Sequence, residues 1–510
     1  MSNRILGTTL ALGVAVTLTP ILLAQTPAPA PGQTAAPAPA PAAAQANPAQ
    51  PGKRDVAKIY AELCASCHGP TMAGAQAPSM LDDTWVHGGD DASIATSIKA
   101  GRVPQGMPAW GNVLSDQDIR AMIIFIRENA AKAKREKSTV AKPAAETNVQ
   151  SEKHAFKLQT VVEGVKSPWS ISFLPDGRML VTEKTGQLRI VDKGQLVAEP
   201  VGGVPAVWSK GQGGLLDVAV HPDYAKNGWI YLSYSDPGPD DSAMTAVVRG
   251  KLRDGQFVDQ ETLFKAPVEL YRKANVHFGS RFVFDGKGHV FFSIGERGQG
   301  VDAQDVTRPN GKVHRINEDG SIPKDNPFVG KPGAIPSIWS YGNRNPQGLA
   351  QNPVTGDLWE VEHGPRGGDE LNRIEKGKNY GWPTITYGMN YDGTPMTDKT
   401  ALPGMEQPIT YWVPSIAVCA IDFYRGNAFP QWKNNLLVSS LAAQELRRLV
   451  IENNKVTHQE TLFQGVGRLR DVVVGPDGYV YIAFNEPDRI ARLVPATGGT
   501  TTPSGANAAR

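Results

Sequence analysis

Cysteine is scarce: three residues in 510, too few for a disulfide scaffold and odd in number, so at least one thiol has no internal disulfide partner. A dominant charge is missing too. Lys and Arg total 52 against 50 Asp and Glu, a formal +2, so no uniform field recruits nucleic acid or an anionic membrane by bulk charge. Between Arg4 and Lys53 there is no charged residue at all. Within that stretch Ile5 to Ala24 is largely apolar and follows the basic start Met-Ser-Asn-Arg, which predicts a secretory signal over residues 1–24 and a periplasmic protein. A run of about 20 apolar residues can also stay as an anchor, the one route to a membrane. Gly7, Thr8, Thr9 and Pro20 dilute it and favour cleavage after Leu22-Leu23-Ala24.

Glycine and proline, by contrast, are abundant, at 53 and 40. Residues 25–53 are Pro/Ala-rich, a composition that stays extended and buries no core. A second linker is expected over residues 131–155, where Lys132, Lys134, Arg135 and Lys137 precede Lys142-Pro143 and a polar run. The tail, 495–510, is Gly, Thr, Ser and Ala and reads as disordered. These breaks leave a small domain, 54–130, and a large one, 156–494.

The small domain carries Cys64-Ala65-Ser66-Cys67-His68. That spacing lets both thiols form thioethers with haem vinyl groups while His68 takes the iron. A zinc or redox pair is the alternative, but no second ligand pair stands nearby. Val56, Ile59, Tyr60 and Leu63 predict a helix leading into the motif, and Ile119, Met122, Ile123 and Ile126 a second one after Ser115-Asp116-Gln117-Asp118. Candidates for the sixth iron ligand are Met72, Met80, Met107 and His87. Met107 is favoured because Pro104 and Pro108 stiffen its loop, and Gly106-Met107-Pro108-Ala109-Trp110 resembles a class I cytochrome c ligand loop. A thioether ligand raises the haem potential, which suits an electron acceptor. Cys419, in the apolar run Ile416 to Ile421, is the remaining thiol and reads as a small buried hydrophobe.

In the large domain a turn rich in Pro, Asp, Asn or Gly precedes a short β-type strand six times: at residues 174–177, 221–223, 285–288, 352–357, 431–435 and 475–478. Six such units predict an all-β six-bladed β-propeller, with the small all-α cytochrome c domain on its N-terminal side. Wide gaps between the third, fourth and fifth turns predict long loops, the usual place for a site. Gly211-Gln212-Gly213-Gly214-Leu215-Leu216, Asn275-Val276-His277-Phe278-Gly279-Ser280-Arg281, Arg344-Asn345-Pro346-Gln347-Gly348, Glu362 to Glu370, Asn379 to Pro383 and Arg468-Leu469-Arg470-Asp471 are the polar, Gly-rich segments. Each alone could be turn chemistry. Gly364-Pro365 offers consecutive carbonyls and Glu370 a carboxylate, a donor set for a hard cation such as Ca²⁺. Arg468 and Arg470 alternate on a strand, as a fork for carboxylates or as a solvated face.

Taken in order, these segments resemble the soluble quinoprotein aldose (glucose/sorbosone) dehydrogenase family, over essentially the whole large domain. The resemblance implies oxidation of an aldose at C1 to its lactone with pyrroloquinoline quinone (PQQ). It implies His277 as catalytic base, and Gln212, Arg344 and Asn345 around the quinone. Gly364 and Pro365 would be carbonyl ligands of a PQQ-bound Ca²⁺, Glu370 and Tyr380 a second calcium site, Tyr391 a sugar contact, and Arg468 and Arg470 the holders of the PQQ carboxylates. Arg344 would also act in catalysis by stabilising oxygen charge. One departure is Ser440-Leu441-Ala442, where the family has a lysine in place of Ala442. Electrons would pass to haem c on a flexibly linked cytochrome and on to an external acceptor, a cytochrome or respiratory-chain component. The competing readings are a sensor propeller with a decayed quinone site and a calcium-dependent, lactonase-like hydrolase.

Overall fold

The computed structural model describes residues 54–144 and 147–496. The expected signal, the Pro/Ala stretch up to residue 53 and most of the tail lie outside the described residues.

Residues 54 to 136 form a small helical domain. Helix α1 (Val56–Leu63) starts at Asp55, whose carboxylate accepts the Ala57 N–H, and buries Val56, Ile59 and Tyr60. It runs into the short α2 (Ala65–His68), which carries the second cysteine and the histidine. Helix α3 (Asp91–Ala100) begins at Asp90 and buries only Ile94 and Ile98. Helix α4 (Asp116–Glu136) opens on a capping box in which Ser115 and Asp118 satisfy each other's backbone N–H. The expected linker from residue 131 therefore begins as helix: Lys132, Lys134 and Arg135 lie on the last turns of α4, where cations complement the C-terminal dipole.

The large domain is the expected propeller. Five sheets of four antiparallel strands and one of five make six blades, which open with the strands Pro168–Phe173, Leu215–Val220, Phe282–Phe284, Pro346–Gln351, Val418–Phe423 and Arg468–Val474. Numbered in that order, blades 1 to 6 pack their first strands side by side in a closed ring. All six turns picked out in the sequence join the first strand of a blade to its second. Blade 6 is completed by the N-terminal strands Asn148–Gln150 and Ala155–Val162, the second pairing with Arg489–Pro495. This closure ties the two ends of the domain together and leaves no open seam between first and last blade.

Carboxylates stitch the ring. Asp217 of blade 2 accepts the N–H of Phe282 at 2.7 Å, and Asp369 of blade 4 that of Ile416, leading into blade 5, at 2.9 Å. Asp422 of blade 5 takes Val474 at 2.9 Å, and Asp471 of blade 6 takes Ile171 of blade 1 at 2.8 Å. Each bond satisfies a buried backbone donor that the neighbouring sheet cannot reach.

The segment between the domains is not a free tether along its described length. Gln464, on the outer strand of blade 5, donates its backbone N–H to Ala141 O at 3.0 Å and its side-chain amide to Ser138 Oγ at 2.9 Å. The helical domain rests directly on a propeller loop, with the Val56 N–H donating to Gly393 O at 3.1 Å.

Candidate functional site

Gln212, His277 and the pair Arg344-Asn345 stand just ahead of the first strands of blades 2, 3 and 4, and Arg468 and Arg470 at the start of that of blade 6. Gly364 and Pro365 lie in the turn between the second and third strands of blade 4. All therefore sit at one end of the ring, where six strands converge and side chains from distant segments meet.

His277 is the most constrained of them. It has a left-handed backbone, φ 55°, a conformation a non-glycine residue keeps only when its surroundings enforce it. The Gln212 side chain accepts its N–H at 2.8 Å. Its carbonyl lies against Gly295, where a Cβ would approach to 2.5 Å, so only glycine fits there. Nδ1 pairs with the Glu296 carboxylate, which leaves Nε2 as the reactive nitrogen. Burial, and then the nearby Arg344 and Arg297 charges, holds the imidazole below its ordinary value, while Glu296 pulls it up. A neutral imidazole fixed by a carboxylate is equipped to take a proton.

Arg344 is buried beside it, and donates to His363 O at 3.0 Å and Gly364 O at 2.7 Å. Its guanidinium lies 5.1 Å from the Trp382 ring centroid and 3.4 Å from the Tyr391 hydroxyl. Tyr391 is 71% exposed, so it stands at the mouth. Asn345 is fully buried and accepts the Gly279 N–H at 3.1 Å. Arg470 sits at a bulge and reaches Gln347 Oε1 at 3.0 Å; Arg468 has no side-chain hydrogen bond or ion pair among the described residues. Cys419 is buried as expected, but in polar company, its thiol 3.0 Å from Arg470 O and 3.3 Å from Gln347 Oε1.

Three participants carried no sequence signal of their own. Glu296 is a lone carboxylate after a strand. His363 lies within the Glu362–Glu370 run, where nothing sets it apart from its neighbours; burial and the charges of Arg344, Arg470 and His277 push it down to about 3. Lys184, from a hairpin of blade 1, donates to Gly211 O at 2.9 Å, and burial and then the Arg470 charge lower its pKa.

The buried polar atoms left without partners here are Arg344 Nε, Asn345 Nδ2, Asn343 Oδ1, His363 Nε2 and Glu296 Oε2. The donors among them, Arg344 Nε and Asn345 Nδ2, lie with the Arg344 and Arg470 cations and fit a polar, anionic ligand such as PQQ. A cation at Gly364 and Pro365 fits only in company: no group of three or more His, Cys, Asp or Glu residues among the described ones could hold a metal, so the remaining ligands would come from an anionic cofactor. Glu370 and Tyr380 are not joined. Glu370 shares Asn372 with Glu360 and Glu362, whereas the Tyr380 hydroxyl donates to Arg373 O at 2.6 Å and accepts the Glu375 N–H at 2.9 Å. Burial, then the charge of Glu362, pushes Glu360 and Glu370 well above the carboxylate range.

In the helical domain Cys64 stands at the α1–α2 junction, Cys67 lies within α2, and His68 Nδ1 lies 3.4 Å from Pro78 O, an orientation that frees Nε2 for iron. Met107 and Met80 are half-buried against the same core as Cys64. Met72 is 2% exposed and fills that core, and His87 is exposed.

Both domains have known relatives. The Glucose / Sorbosone dehydrogenase family matches residues 165–492, and residues 51–126 match the cbb3-type cytochrome c oxidase subunit III family. Aldose sugar dehydrogenase YliI of Escherichia coli (strain K12) is 44% identical over 335 residues, 64% of this chain and 90% of that protein. The crystal structure of the apo aldose sugar dehydrogenase from Escherichia coli superposes with a TM-score of 0.63 at 41% identity, covering 67% of this chain and all of that one. The PQQ-bound aldose sugar dehydrogenase from Streptomyces coelicolor gives 0.56 at 27% identity, over 68% and 99% of the two chains. The chain belongs to the glucose/sorbosone dehydrogenase family, with a cytochrome c domain of the cbb3 subunit III type ahead of its propeller.

Proposed function

We propose that the protein is a periplasmic quinohaemoprotein that oxidises aldose sugars at C1 to lactones and passes the electrons to an external acceptor. The observation that carries this reading is the His277–Glu296 pair, buried beside Arg344, with Arg344 Nε and Asn345 Nδ2 left as donors without partners. PQQ, bound with Ca²⁺, supplies a two-electron acceptor for hydride, and haem c, held by Cys64, Cys67, His68 and Met107, a one-electron acceptor. His277 Nε2 takes the proton of the anomeric hydroxyl, and Glu296 fixes the tautomer and stabilises the imidazolium that forms. Arg344 faces the sugar oxygen and offsets the charge that develops on it. Tyr391 meets the sugar at the mouth. Gln212 and Asn345 position the quinone, and Arg468 and Arg470 hold its carboxylates. Lys184 brings a further cation near Arg470, in a site where Ala442 supplies none. Gly364 and Pro365 offer carbonyl oxygens to the cofactor's calcium.

The test is reconstitution. Purified protein given PQQ, Ca²⁺ and a panel of aldoses should show sugar-dependent growth of the reduced haem absorbance band. His277→Ala should lower turnover at least ~100-fold. Equal turnover in that variant removes His277 as base, and no haem reduction with any aldose removes the reading.

A further inference from the structure

One propeller segment at the candidate site, the one that carries Gly364, Pro365 and Tyr391, is gripped by the helical domain. Residues 364–368 and 388–393 form one two-stranded unit, because Arg366 and Met389 exchange backbone hydrogen bonds at 3.0 and 2.9 Å. One arm of this unit begins with Gly364-Pro365, and the other ends at Tyr391 and Gly393. The helical domain holds both arms. Arg366 forms a two-pronged ion pair with Glu128 of α4, at 2.8 to 3.1 Å, with its guanidinium over Phe125. Both side chains are mostly buried, at 28% and 19% exposure, so the pair is shielded from the screening that makes surface pairs weak. Met389 is 1% exposed and belongs to the helical domain's own core, together with Ile123 and Ile124. A Cβ on Gly367 would lie 3.3 Å from Ile124, and one on Gly393 only 2.6 Å from Asp55. Arg120 closes the other side by donating to Tyr387 O at 3.1 Å.

We propose that the cytochrome domain is a clamp on this unit, so that it sets the affinity of the propeller for cofactor and sugar as well as receiving electrons. The physical argument is one of shared constraints. Arg366 is bonded to the residue next to Gly364, whose carbonyl Arg344 holds, and Met389 lies two residues from Tyr391. Loosening either anchor frees the atoms that face the cofactor and the mouth, and the freedom lost again on binding then costs affinity. Glu128, Arg366 and Met389 are thus positioning residues, and none of them touches the reacting atoms. The effect on PQQ and sugar rests on the function proposed above, whereas the clamp itself does not.

The test uses the full chain with haem bound, as Glu128→Ala, Met389→Ala and the charge swap Glu128→Arg with Arg366→Glu. Hydrogen exchange should speed up across 364–393 in both single variants and return toward the parent rate in the swap. PQQ affinity by equilibrium titration, and KM for the sugar with a small dye that accepts electrons without the haem, should each worsen about tenfold, a typical coupling between linked sites. The haem spectrum and potential should not move. Unchanged exchange in both single variants overturns the clamp. So does a result in which only haem reduction slows, because the contact then serves electron transfer alone. Failure of the parent chain to bind PQQ would instead sink the proposed function, and the exchange comparison would still decide the clamp by itself.

Discussion

At the scale of single residues, His277, the proposed base, is defined less by its own type than by what holds it. His277 keeps a left-handed backbone, Gly295 leaves room for its carbonyl, and Glu296 takes Nδ1. These contacts set its titration. Burial lowers the pKa from the ordinary value of about 6.5, and Glu296 partly restores it. The base works only when neutral, so kcat/KM should fall as pH drops through a pKa below about 6.5. Glu296→Gln removes the group that raises the pKa, so the acidic limb should move to lower pH while turnover on the plateau falls. The measurement is a pH profile of dye-coupled kcat/KM in both proteins; a limb that moves upward in the variant contradicts this assignment of Glu296. The motifs made His277, Arg344 and Asn345 legible in the sequence. Glu296 and Lys184 were not, because each contributes one side chain, Lys184 from a tight hairpin and Glu296 from the long connection before Lys312–Asn317, and only ring closure brings it to the centre.

Among elements, the strand Asp369–Ile374 shows how a motif divides its labour. Asp369, in the Gly-Gly-Asp-Glu run, is fully buried and accepts from Gly364 N, Ile416 N, Val418 N and Ser415 Oγ. It therefore fixes the Gly364 turn and joins blade 4 to blade 5. Asp369→Ala would leave three backbone donors buried without a partner, at about 1–3 kcal/mol each. The variant should lose at least ~3 kcal/mol in denaturant titrations, and it should bind PQQ more weakly than a distant variant of equal stability. Asp471, beside the two arginines, plays a similar part toward blade 1. A motif read from sequence as a ligand set is thus partly a joint. The helices divide in the same way. α1 and α4 were legible because four apolar residues recur on each face, whereas α3 offers only Ile94 and Ile98 and is set by its Asp90 cap and by packing on α4. The continuation of α4 to Glu136 was hidden because a run of cations resembles a linker in composition. The docking of the cytochrome was hidden for a different reason: its contacts, Glu128 with Arg366, Arg120 with Tyr387 and Met389 in the helical core, join residues 238 or more positions apart, each satisfied by ordinary surface chemistry in its own segment.

For the whole molecule, closure means that a blade cannot be lost alone. If one sheet opens, the two beside it lose their packing, so a local ionisation acts on the stability of the ring. Blade 3 contains a clear case. His314, fully buried, stacks on Phe292 with centroids 5.0 Å apart, and its ring nitrogens lie 3.0 Å from Ser337 Oγ and Pro309 O. Burial pushes its pKa down to about 3. In the unfolded chain the same imidazole takes a proton near 6.5. Between these values the unfolded state binds the extra proton, so folding free energy must fall as pH drops from about 6.5 toward 3. Buried carboxylates act in the opposite sense. Asp471 is raised to about 6 and Glu362 to about 7, so what they contribute is present at low pH and lost as pH rises through those values. The total pH profile therefore mixes opposing slopes, and a difference measurement separates them. His314→Phe removes one titration and keeps a ring against Phe292. Above pH 7 the stability gap between variant and parent should be constant. Below about 6.5 it should shift in favour of the variant by up to about 1.4 kcal/mol per pH unit, the limit for one fully shielded proton. Urea unfolding from pH 4.5 to 8, followed through the tryptophans and the haem together, gives both curves; a gap independent of pH would mean that His314 takes its proton in the folded ring.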